Sequence, residues 1–433
     1  MLSKAEKILK NQHIPILHTV PGPSTRMASG TAQRILIAAL IILVAVGYLL
    51  LALRLPTSSY FARHFTCIRS TSPWKDTNPK CASTKATGAE PDADMVRLRG
   101  DLQRRLSGRM EAAKRYRRQL RQAFPTVSNN TLTSSAASAA RFLTYNYRPI
   151  LDAGLGNFLF QTATLVGCAR QNHRIPVRIA HDPRTDLFEG MDMAYIDPAL
   201  LFPNNSLAAR TLGDLGPGRF TPVFHNVSSR FPDSAAALSG YGQSWKYFHS
   251  VGPEIRALLT FKETIQREAV NAILEGVKSL RQHGTLTADS HRQRPVRVGI
   301  HVRRGDIISN AGFAAHGHVA ATEEYLLRMA LRMQRRYPHA VFFVLSNDLD
   351  YCRRLFREPN VVFVAGKPAA VDLAVLTFMD VLVLSVGSYG WWAAYLSDAQ
   401  EVVYFKDWPR NGSEFARGLE ADDYFLPAWH ADN

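Results

Sequence analysis

The chain has 433 residues, enough for two or three domains of about 150 residues each, and carries a formal net charge of +16 at pH 7. Such an excess of positive charge is typical of nucleic-acid-binding proteins. However, residues 1–140 contain 21 Lys and Arg against 7 Asp and Glu, whereas residues 141–433 contain 31 against 29. The large C-terminal part is therefore nearly neutral, which argues against nucleic-acid binding.

Residues 35–53 predict a membrane anchor. This stretch of 19 residues has no charged side chain, and as a helix it would span roughly 28 Å, about one hydrocarbon core. A cleaved signal peptide would have a shorter apolar stretch, and a buried core helix is the remaining alternative. Four N-glycosylation acceptors follow the span, which favours a short cytoplasmic tail at 1–34 and a lumenal C-terminal part. They are Asn129, Asn204, Asn226 and Asn411.

Residues 54–140 are predicted to form a stem that contains one helix. Between 92 and 124 apolar residues recur every three or four positions, which predicts an amphipathic helix. Ten residues of this helix are Lys or Arg. Self-association through a short coiled coil and contact with anionic lipid are possible roles. A run of charge is usually a solvated face, however, so we expect a solvated stem helix.

The four cysteines do not form a metal or dithiol motif. No two of them form a C-x-x-C pair. In an oxidising compartment two disulfides could form, and a bond between Cys67 and Cys81 is the simplest because both lie in one short segment. Free thiols in a packed interior are the alternative, equally compatible with Cys168. The fourth cysteine is Cys352.

The remaining chain, 141–433, divides into two halves of different character. In 141–285 Pro, Gly and Asn are scattered through 181–242, which predicts long loops. In 286–433 short apolar strands alternate with helical patterns, which is typical of a parallel sheet covered on both faces. The predicted strands are 297–302, 341–345, 361–364, 381–385 and 402–405, and the predicted helices are 323–337, 349–356, 373–379 and 391–396.

Residues 301–306, with the sequence HVRRGD, follow the first of these strands. Ligands bind where parallel strands end, and guanidinium groups match phosphate oxygens and stay charged. We therefore expect Arg303 and Arg304 to form a fork for an anion, and specifically for a diphosphate. The alternative is a basic surface loop in which Asp306 only pairs with an arginine.

Two further loops carry groups suited to a phosphate or a sugar. Residues 154–157, with the sequence GLGN, open a helical run, so the backbone can approach a ligand and free N–H groups are available. Residues 385–389, with the sequence SVGSY, join a strand to an aromatic helix, which predicts an anion site. A plain tight turn is the alternative for the first loop. Trp391 and Trp392 are expected to be core residues rather than ligand contacts.

A third loop, 346–350, has the sequence SNDLD. Its small polar side chains suit hydrogen bonds to a base or ribose, and helix capping is the alternative. A second alternative is a metal site, because Asp348 and Asp350 could bind Mn²⁺ or Mg²⁺ against a diphosphate. We favour a site without metal, since a metal would duplicate the charge neutralisation that the two arginines supply.

These motifs, taken in order along the chain, resemble those of the α-1,2-fucosyltransferases. The resemblance covers about 150–430, and the chain looks like the animal branch of that family. It implies GDP-fucose as donor, inversion at fucose C1, no metal, and an α/β fold with two facing Rossmann-like lobes of the GT-B type. It also implies a single-pass Golgi protein acting on galactose-terminated glycans. The matching segments are 154–157, 239–241, 245–248, 301–306, 346–347, 351–352, 388–396 and 425–429.

The resemblance also assigns roles to residues of the C-terminal half. Arg303 would bind the β-phosphate, and Arg304 would hold its partner loop or a second phosphate oxygen. His301 would orient the arginine or the diphosphate, and Asp372 would read the guanine edge unless it only caps the helix that follows it. The other expected donor contacts are Asn157, Ser346, Asp348, Ser385, Gly387, Ser388 and Tyr389.

Asp306 and three departures from the family pattern leave questions open. Asp306 is the nearest candidate for the base that takes the proton from a galactose 2-hydroxyl, and an ion-pairing role is equally compatible. The family usually has Gln where this chain has Phe158, and Trp where it has Tyr351. The region 181–235 matches poorly, which leaves the acceptor undefined. A different fucosyl linkage and a non-catalytic glycan-binding protein are the competing hypotheses.

Overall fold

The computed structural model describes residues 93–123, 141–146, 154–222, 226–232, 234–286 and 295–433. All of them fall within one structural unit, Ala86–Asn433. Among these residues no helix has the length and apolar character needed to cross a membrane. The predicted anchor at 35–53, the acceptor Asn129, and Cys67 and Cys81 lie outside the described residues.

The first sheet belongs to the N-terminal half and is parallel throughout. Its spatial order is β2-β1-β4-β3. Helix α2, Leu155–Gln171, packs on this sheet, and its apolar residues are buried almost all the way round, so it is a core helix. The strands are β1 (Phe142–Tyr145), β2 (Ile175–Pro176), β3 (Thr211–Leu215) and β4 (Ala236–Gly240).

The second sheet confirms the parallel sheet predicted for the C-terminal half. Its six strands are parallel, in the order β10-β9-β8-β5-β6-β7. The central strand β5 is buried at every position, because helices cover both faces. The strands are β5 (Arg297–Val302), β6 (Val341–Ser346), β7 (Val361–Phe363), β8 (Val381–Leu384), β9 (Glu401–Phe405) and β10 (His430–Asp432).

The helices of the C-terminal half agree with the predicted positions, but two of them begin earlier. α11 begins at Ala369 instead of 373, and α12 begins at Ser388 instead of 391. Pro368 is the N-cap of α11, so the suggestion that Asp372 caps that helix is wrong. The remaining helices are α1 (Ala93–Ala123), α3 (Pro198–Leu201), α4 (Val227–Arg230), α5 (Gly252–Leu258), α6 (Glu263–Gln282), α7 (Gly305–Ser309), α8 (Ala311–His316), α9 (Glu323–Arg336), α10 (Leu349–Leu355), α11 (Ala369–Thr377), α12 (Ser388–Leu396), α13 (Glu414–Arg417) and α14 (Ala421–Tyr424).

Helix α1 is part of the folded core, so the prediction of a solvated stem helix is wrong. The helix itself is present, at Ala93–Ala123 against the predicted 92–124. Its apolar stripe packs against α5 and α6 instead of facing water or another molecule. The buried residues of the stripe are Leu98, Leu102, Leu106, Met110, Ala113 and Tyr116.

The charged residues of α1 are used in the same contact. Asp101 pairs with Arg297 at 3.0 Å, and Arg105 pairs with Asp380 at 2.8 Å. Arg297 is fully buried at the start of β5 and also pairs with Asp380 at 2.8 Å. A buried charge is tolerated only when it is paired, so α1 completes an ion network beneath the second sheet.

The C-terminal part of α1 makes equivalent contacts with the first half of the structure. Arg117 pairs with Glu189 at 2.9 Å, and Arg121 pairs with Asp192 at 2.6 Å. Both acids lie in the long connection between β2 and β3. Helix α1 therefore joins the surroundings of both sheets through a few of its arginines, while most of its other basic residues are exposed.

The end of the chain also returns to the first half. Lys246, after β4, pairs with Asp423 of α14 at 2.6 Å. Trp245 donates from Nε1 to the carbonyl of Asp422 at 3.1 Å. The two sheets are thus connected by α1 on one side and by α14 on another.

The described cysteines and glycosylation acceptors can be compared with the predictions. Cys168 and Cys352 are buried free thiols, and burial raises the pKa of Cys168 to about 12. The free-thiol alternative therefore holds for these two residues. Asn204, Asn226 and Asn411 are exposed, which is compatible with glycosylation.

Replacement of Leu102 by alanine tests whether α1 belongs to the fold. Leu102 is fully buried, so the substitution should lower the free energy of unfolding by about 2–5 kcal/mol. Val96 lies on the same helix but is 56% exposed, and Val96→Ala should change it by less than about 0.5 kcal/mol. Chemical denaturation followed by circular dichroism would measure both. Equal, small effects would indicate that α1 is a solvated stem helix.

Candidate functional site

A cavity of about 390 Å³ lies where β5 and β6 end and where α2 begins. Its volume is in the range of sites that bind small molecules. Because carboxyl ends of parallel strands meet at one edge of a sheet, loops far apart in sequence contribute to it. The lining residues are Gly154, Leu155, Gly156, Asn157, His301, Val302, Arg303, Leu345, Ser346, Asn347, Lys367, Ala369, Asp372, Ser388 and Tyr389.

Arg303 lines this cavity and is held at both ends. Its backbone N–H donates to the hydroxyl of Ser385 at 2.8 Å. Its Nη2 donates to Asp306 at 2.6 Å, and its Nε lies 3.2 Å from both carboxylate oxygens. Its Nη1 has no hydrogen-bond partner within the described chain and passes beside Gly387. A Cβ on Gly387 would be 2.7 Å from Nη1, and φ is +89° there, so glycine is required at this position.

Arg304 does not join Arg303 in the cavity, so the predicted two-arginine fork is not formed. Its guanidinium lies 4.1 Å from the centre of the Tyr351 ring and 3.5 Å from Asp348. It lines a neighbouring cavity of about 450 Å³. Successive side chains leaving a strand point to opposite faces, which explains why adjacent arginines diverge. The alternative that Arg304 holds its partner loop agrees with this geometry.

The carboxylate of Asp306 accepts hydrogen bonds from Arg303 and Asn347. Partial burial acts to raise its pKa, but the hydrogen bonds and charge of Arg303 and a hydrogen bond from Asn347 outweigh it, so the pKa of Asp306 lies below its usual value. A carboxylate with a lowered pKa is a weak base. Of the two predicted roles, the geometry favours ion pairing with Arg303 over proton abstraction.

His301 is buried beside the cavity in its neutral form. Burial, and next the charge of Arg303, lower the pKa of His301 to about 3. Its ring stacks on Tyr389 with centroids 5.4 Å apart. Burial also raises the pKa of the Tyr389 hydroxyl, which donates to the carbonyl of Ala369. These two rings therefore form an uncharged wall of the cavity.

The start of α2 contacts the start of α12 across the cavity. A Cβ on Gly156 would lie 2.6 Å from the hydroxyl oxygen of Ser388, so only glycine permits this approach. Asn157 accepts a hydrogen bond from Ser388 at 2.9 Å and another from Gln243 at 2.7 Å. The predicted residues Asn157 and Ser388 thus come together from the two halves of the structure.

Asp372 lines the cavity and has one carboxylate oxygen without a hydrogen-bond partner among the described residues. Burial raises the pKa of Asp372 to about 6, and the charge of Lys367 opposes the shift. Its Oδ1 is buried and has no hydrogen-bond partner among the described residues. An unpaired buried acceptor is costly unless a ligand supplies a donor. Asp372 is therefore suited to accept an N–H of a bound base.

The two carboxylates of the loop after β6 are engaged outside the cavity. Ser346 lines the cavity and accepts from the N–H of Asp348 at 2.9 Å. Asp348 caps α10 through the N–H of Tyr351, and Asp350 pairs with Arg353 at 2.8 Å. Neither carboxylate lines the cavity, so the capping alternative applies. Within the described residues no group of three His, Cys, Asp or Glu side chains could hold a metal ion.

Sequence reasoning missed Lys367 and Gln243, and within the loop 346–350 it did not single out Asn347. Lys367 lines the cavity and pairs with Glu268 at 3.3 Å. Asn347 lines it too, and the buried Gln243 orients Asn157. Lys367 follows strand β7, just as the recognised motifs follow other strands of this sheet. Its position after a strand could therefore have identified it as a candidate ligand-binding residue. Gln243 had no such signal, because it acts through another side chain.

Two of the departures from the family pattern, Phe158 and Tyr351, lie outside the lining of the cavity. Phe158 is 2% exposed and packs under Arg184, whose guanidinium is 4.8 Å from its ring centre. Tyr351 stacks with Arg304. Both aromatic side chains therefore contact arginines rather than the space inside the cavity.

Comparisons with known proteins show what this chain is similar to. The model of glycosyl transferase family 11 matches residues 225–433. Galactoside alpha-(1,2)-fucosyltransferase 2 of Mus musculus is 30% identical over 284 residues, 64% of this chain and 75% of that protein. Galactoside 2-alpha-L-fucosyltransferase Sec1 of Mus musculus is 30% identical over 285 residues, 64% of this chain and 70% of that protein. Among solved structures, POFUT1 in complex with GDP has 11% identity and a TM-score of 0.37, covering 62% of this chain and 99% of that chain. The predicted resemblance in sequence is thus confirmed.

The divergence of the two arginines gives a direct test with a matched control. Arg303→Ala should weaken the binding of GDP to the full chain by about ten- to a hundredfold, because a hydrogen bond to a charged group is worth roughly 1.5–3 kcal/mol. Arg304→Ala removes the same charge one residue away and should leave the affinity close to that of the wild type. Isothermal titration calorimetry would measure both. A similar loss of GDP affinity in the two variants would show that both arginines bind the ligand, as the two-arginine fork predicts.

Proposed function

The chain belongs to glycosyl transferase family 11, and from this premise we propose that it transfers L-fucose from GDP-fucose to the 2-hydroxyl of terminal galactose on glycoprotein or glycolipid glycans. Relatives named galactoside α-1,2-fucosyltransferases support the reaction and the acceptor sugar. The observation that carries the proposal is the cavity at the strand ends, in which Arg303, Ser388 and Asp372 come together.

The proposed architecture is of the GT-B type, with two facing Rossmann-like lobes. Support comes from the two parallel sheets and from the cavity between α2 and the edge of the second sheet. The donor would bind mainly to the second lobe, with Asn157 reaching it from the first. The acceptor would approach from the first lobe, whose long loops between β2 and β4 differ most from the family.

GDP would lie along the edge of the second sheet. The diphosphate would contact Arg303 and the first N–H groups of α12, where a helix start favours anions. The guanine would contact Asp372, whose unpaired oxygen can accept its N–H groups. Lys367 adds positive charge near the same cavity. Fixed donors aimed at the leaving diphosphate would stabilise the charge that develops there.

Inversion at fucose C1 requires the galactose hydroxyl to attack opposite the leaving diphosphate. Because Asp306 is held by Arg303 and has a lowered pKa, we assign it to orienting Arg303. His301, neutral and stacked on Tyr389, would shape the pocket around the diphosphate. Proton removal by a strong base matters little when the bond to the diphosphate is largely broken before the acceptor attacks.

We further propose that transfer needs no metal ion. The two carboxylates of the metal alternative are engaged elsewhere, Asp348 in capping α10 beside Arg304 and Asp350 with Arg353. The diphosphate charge would instead be met by Arg303, Lys367 and the start of α12. Addition of EDTA should therefore leave the transfer rate unchanged.

The proposed setting is the Golgi membrane, with one span at 35–53 and the catalytic part in the lumen. The uncharged stretch and the four acceptor asparagines after it support this arrangement. Because α1 is packed into the catalytic unit, that unit would include α1 from Ala93 onward. The buried apolar stripe of α1 is then not available for self-association, whereas most of its basic residues remain exposed.

A transfer assay tests the proposed reaction. The full chain is incubated with GDP-fucose and a panel of defined acceptors, including galactosides and their 2-deoxy analogues, with and without EDTA. We expect fucose only on acceptors with a free galactose 2-hydroxyl, in α linkage by nuclear magnetic resonance. Fucose at another position would support a different linkage, whereas glycan binding without transfer would support a non-catalytic lectin-like protein.

The raised pKa of Asp372 predicts how nucleotide binding depends on pH. Its folded-state pKa is about 6, so the carboxylate is ionised above that pH and protonated below it. The affinity for GDP should therefore fall as the pH drops through about 6. Asp372→Asn should bind GDP more weakly than the wild type at neutral pH and should lack this step. Pyrophosphate, which has no base, serves as the control ligand, and an identical step with pyrophosphate would remove Asp372 from base recognition.

A further inference from the structure

The side chain of Asn347 joins two parts of the loop that carries Arg303. Its Oδ1 accepts hydrogen bonds from the backbone N–H groups of Arg304 at 2.9 Å and Gly305 at 3.1 Å. Its Nδ2 donates to Oδ1 of Asp306 at 2.9 Å. One amide group therefore fixes both the backbone of this loop and the carboxylate that it presents.

The position of Asn347 follows from the sheet register. Val302 and Ser346 are paired at the ends of the neighbouring strands β5 and β6, so the residue after β6 lies beside the loop after β5. A Cβ on Gly305 would be 3.2 Å from the carbonyl oxygen of Asn347, which shows how closely the two loops pack. The pairing of β5 with β6 therefore places Asn347 beside the loop that carries Arg303.

Asp306 links Asn347 to Arg303, because it accepts hydrogen bonds from both side chains. It binds Nε and Nη2 of Arg303 and leaves Nη1 for a ligand. The Asp306 side chain is 41% exposed, so water competes for it once a protein donor is lost. With Nδ2 of Asn347 in place, Asp306 is held from two sides, and the guanidinium has one orientation.

We propose that Asn347 is a positioning residue for fucosyl transfer, acting through Asp306 to fix Arg303 against the donor diphosphate. This inference rests on the proposed function only in naming the donor. A turn-forming role would need only the acceptor Oδ1, because backbone N–H groups are satisfied by any side-chain oxygen. The positioning role needs the donor Nδ2 as well, and the two roles can therefore be separated.

Asn347→Asp separates them, since it keeps the acceptor oxygen and replaces the donor with a carboxylate facing Asp306. The variant should fold with nearly wild-type thermal stability. Its affinity for GDP and its kcat/KM for GDP-fucose should both fall by roughly tenfold or more, as expected when a hydrogen bond to a charged group is lost. In an Asp306→Ala background the same substitution should have little further effect.

The pH profile gives a readout that a merely structural role would not change. Two adjacent carboxylates raise each other's pKa, so a proton restores a hydrogen bond between them at lower pH. The ratio of Asn347→Asp to wild-type GDP affinity should therefore rise as the pH falls from about 8 to about 5.5. The other groups that interact with Asp306 are Arg303, which stays charged, and His318. Burial and the charge of Arg303 lower the pKa of His318 to about 4, so it stays neutral in this interval.

Asn360 offers a matched control. Its Nδ2 donates to Gln334 at 2.7 Å and to the carbonyl of Ala340 at 2.9 Å, at the opposite end of the strands. Asn360→Asp thus also replaces an amide donor with a carboxylate facing acceptors. It should leave GDP affinity and its pH profile unchanged.

The outcomes distinguish this inference from the proposed function. If the wild type binds GDP but transfers no fucose, the proposed reaction fails, while the binding measurements still decide the role of Asn347. If Asn347→Asp binds GDP as tightly as the wild type, and the ratio of the two affinities does not change with pH, the positioning role is overturned. The proposed reaction is not affected by that result. An additive loss in the Asp306→Ala background would also overturn the positioning role. Absence of GDP binding by the wild type would overturn both.

Discussion

The close approach of α2 to α12 is the contact on which the site depends. Gly156 lets the backbone of α2 reach Ser388, and Asn157 completes the contact with a hydrogen bond. A cavity lined from both halves exists only while the two sheets keep this separation. Helix α1 on one side and α14 on another connect the same two halves. Substitutions far from the cavity, in the ion pairs of α1, would therefore alter it by changing the distance between the sheets.

The second sheet was predictable because its strands are buried on both faces. Short apolar runs that alternate with helical patterns have few other interpretations, and each ligand loop followed such a run. The edge of the sheet, and with it the places of His301, Arg303 and Ser388, could therefore be inferred before any contact was known. The first sheet was not predictable in the same way. Its β2 has two residues, and long loops separate β2 from β4, so the chain carries little periodicity there.

The direction of side chains and the partners of charged groups were not predictable. Adjacent arginines look equivalent in sequence, but the turn after β5 sends Arg303 into the cavity and Arg304 towards Tyr351. The partners of the arginines of α1 could not be predicted either, because a run of arginines has the same sequence pattern whether its side chains face solvent or pair with Asp and Glu. Asp380 and Glu189, which bind α1, are more than 70 residues away along the chain. Such long-range charge pairing leaves no local signal.

Under the proposed function, the pairing of Arg303 with Asp306 raises the question of how an arginine already paired with a carboxylate can stabilise the donor diphosphate. A free arginine would carry more charge, but it would sample many rotamers and lose conformational entropy when a ligand binds. In this site Asp306 takes Nε and Nη2, so the orientation of Nη1 is fixed before the donor arrives. Preorganised donors cost no rearrangement as charge develops on the leaving group. Lys367 is itself paired with Glu268, so further positive potential for the proposed diphosphate would come mainly from the N–H groups at the start of α12.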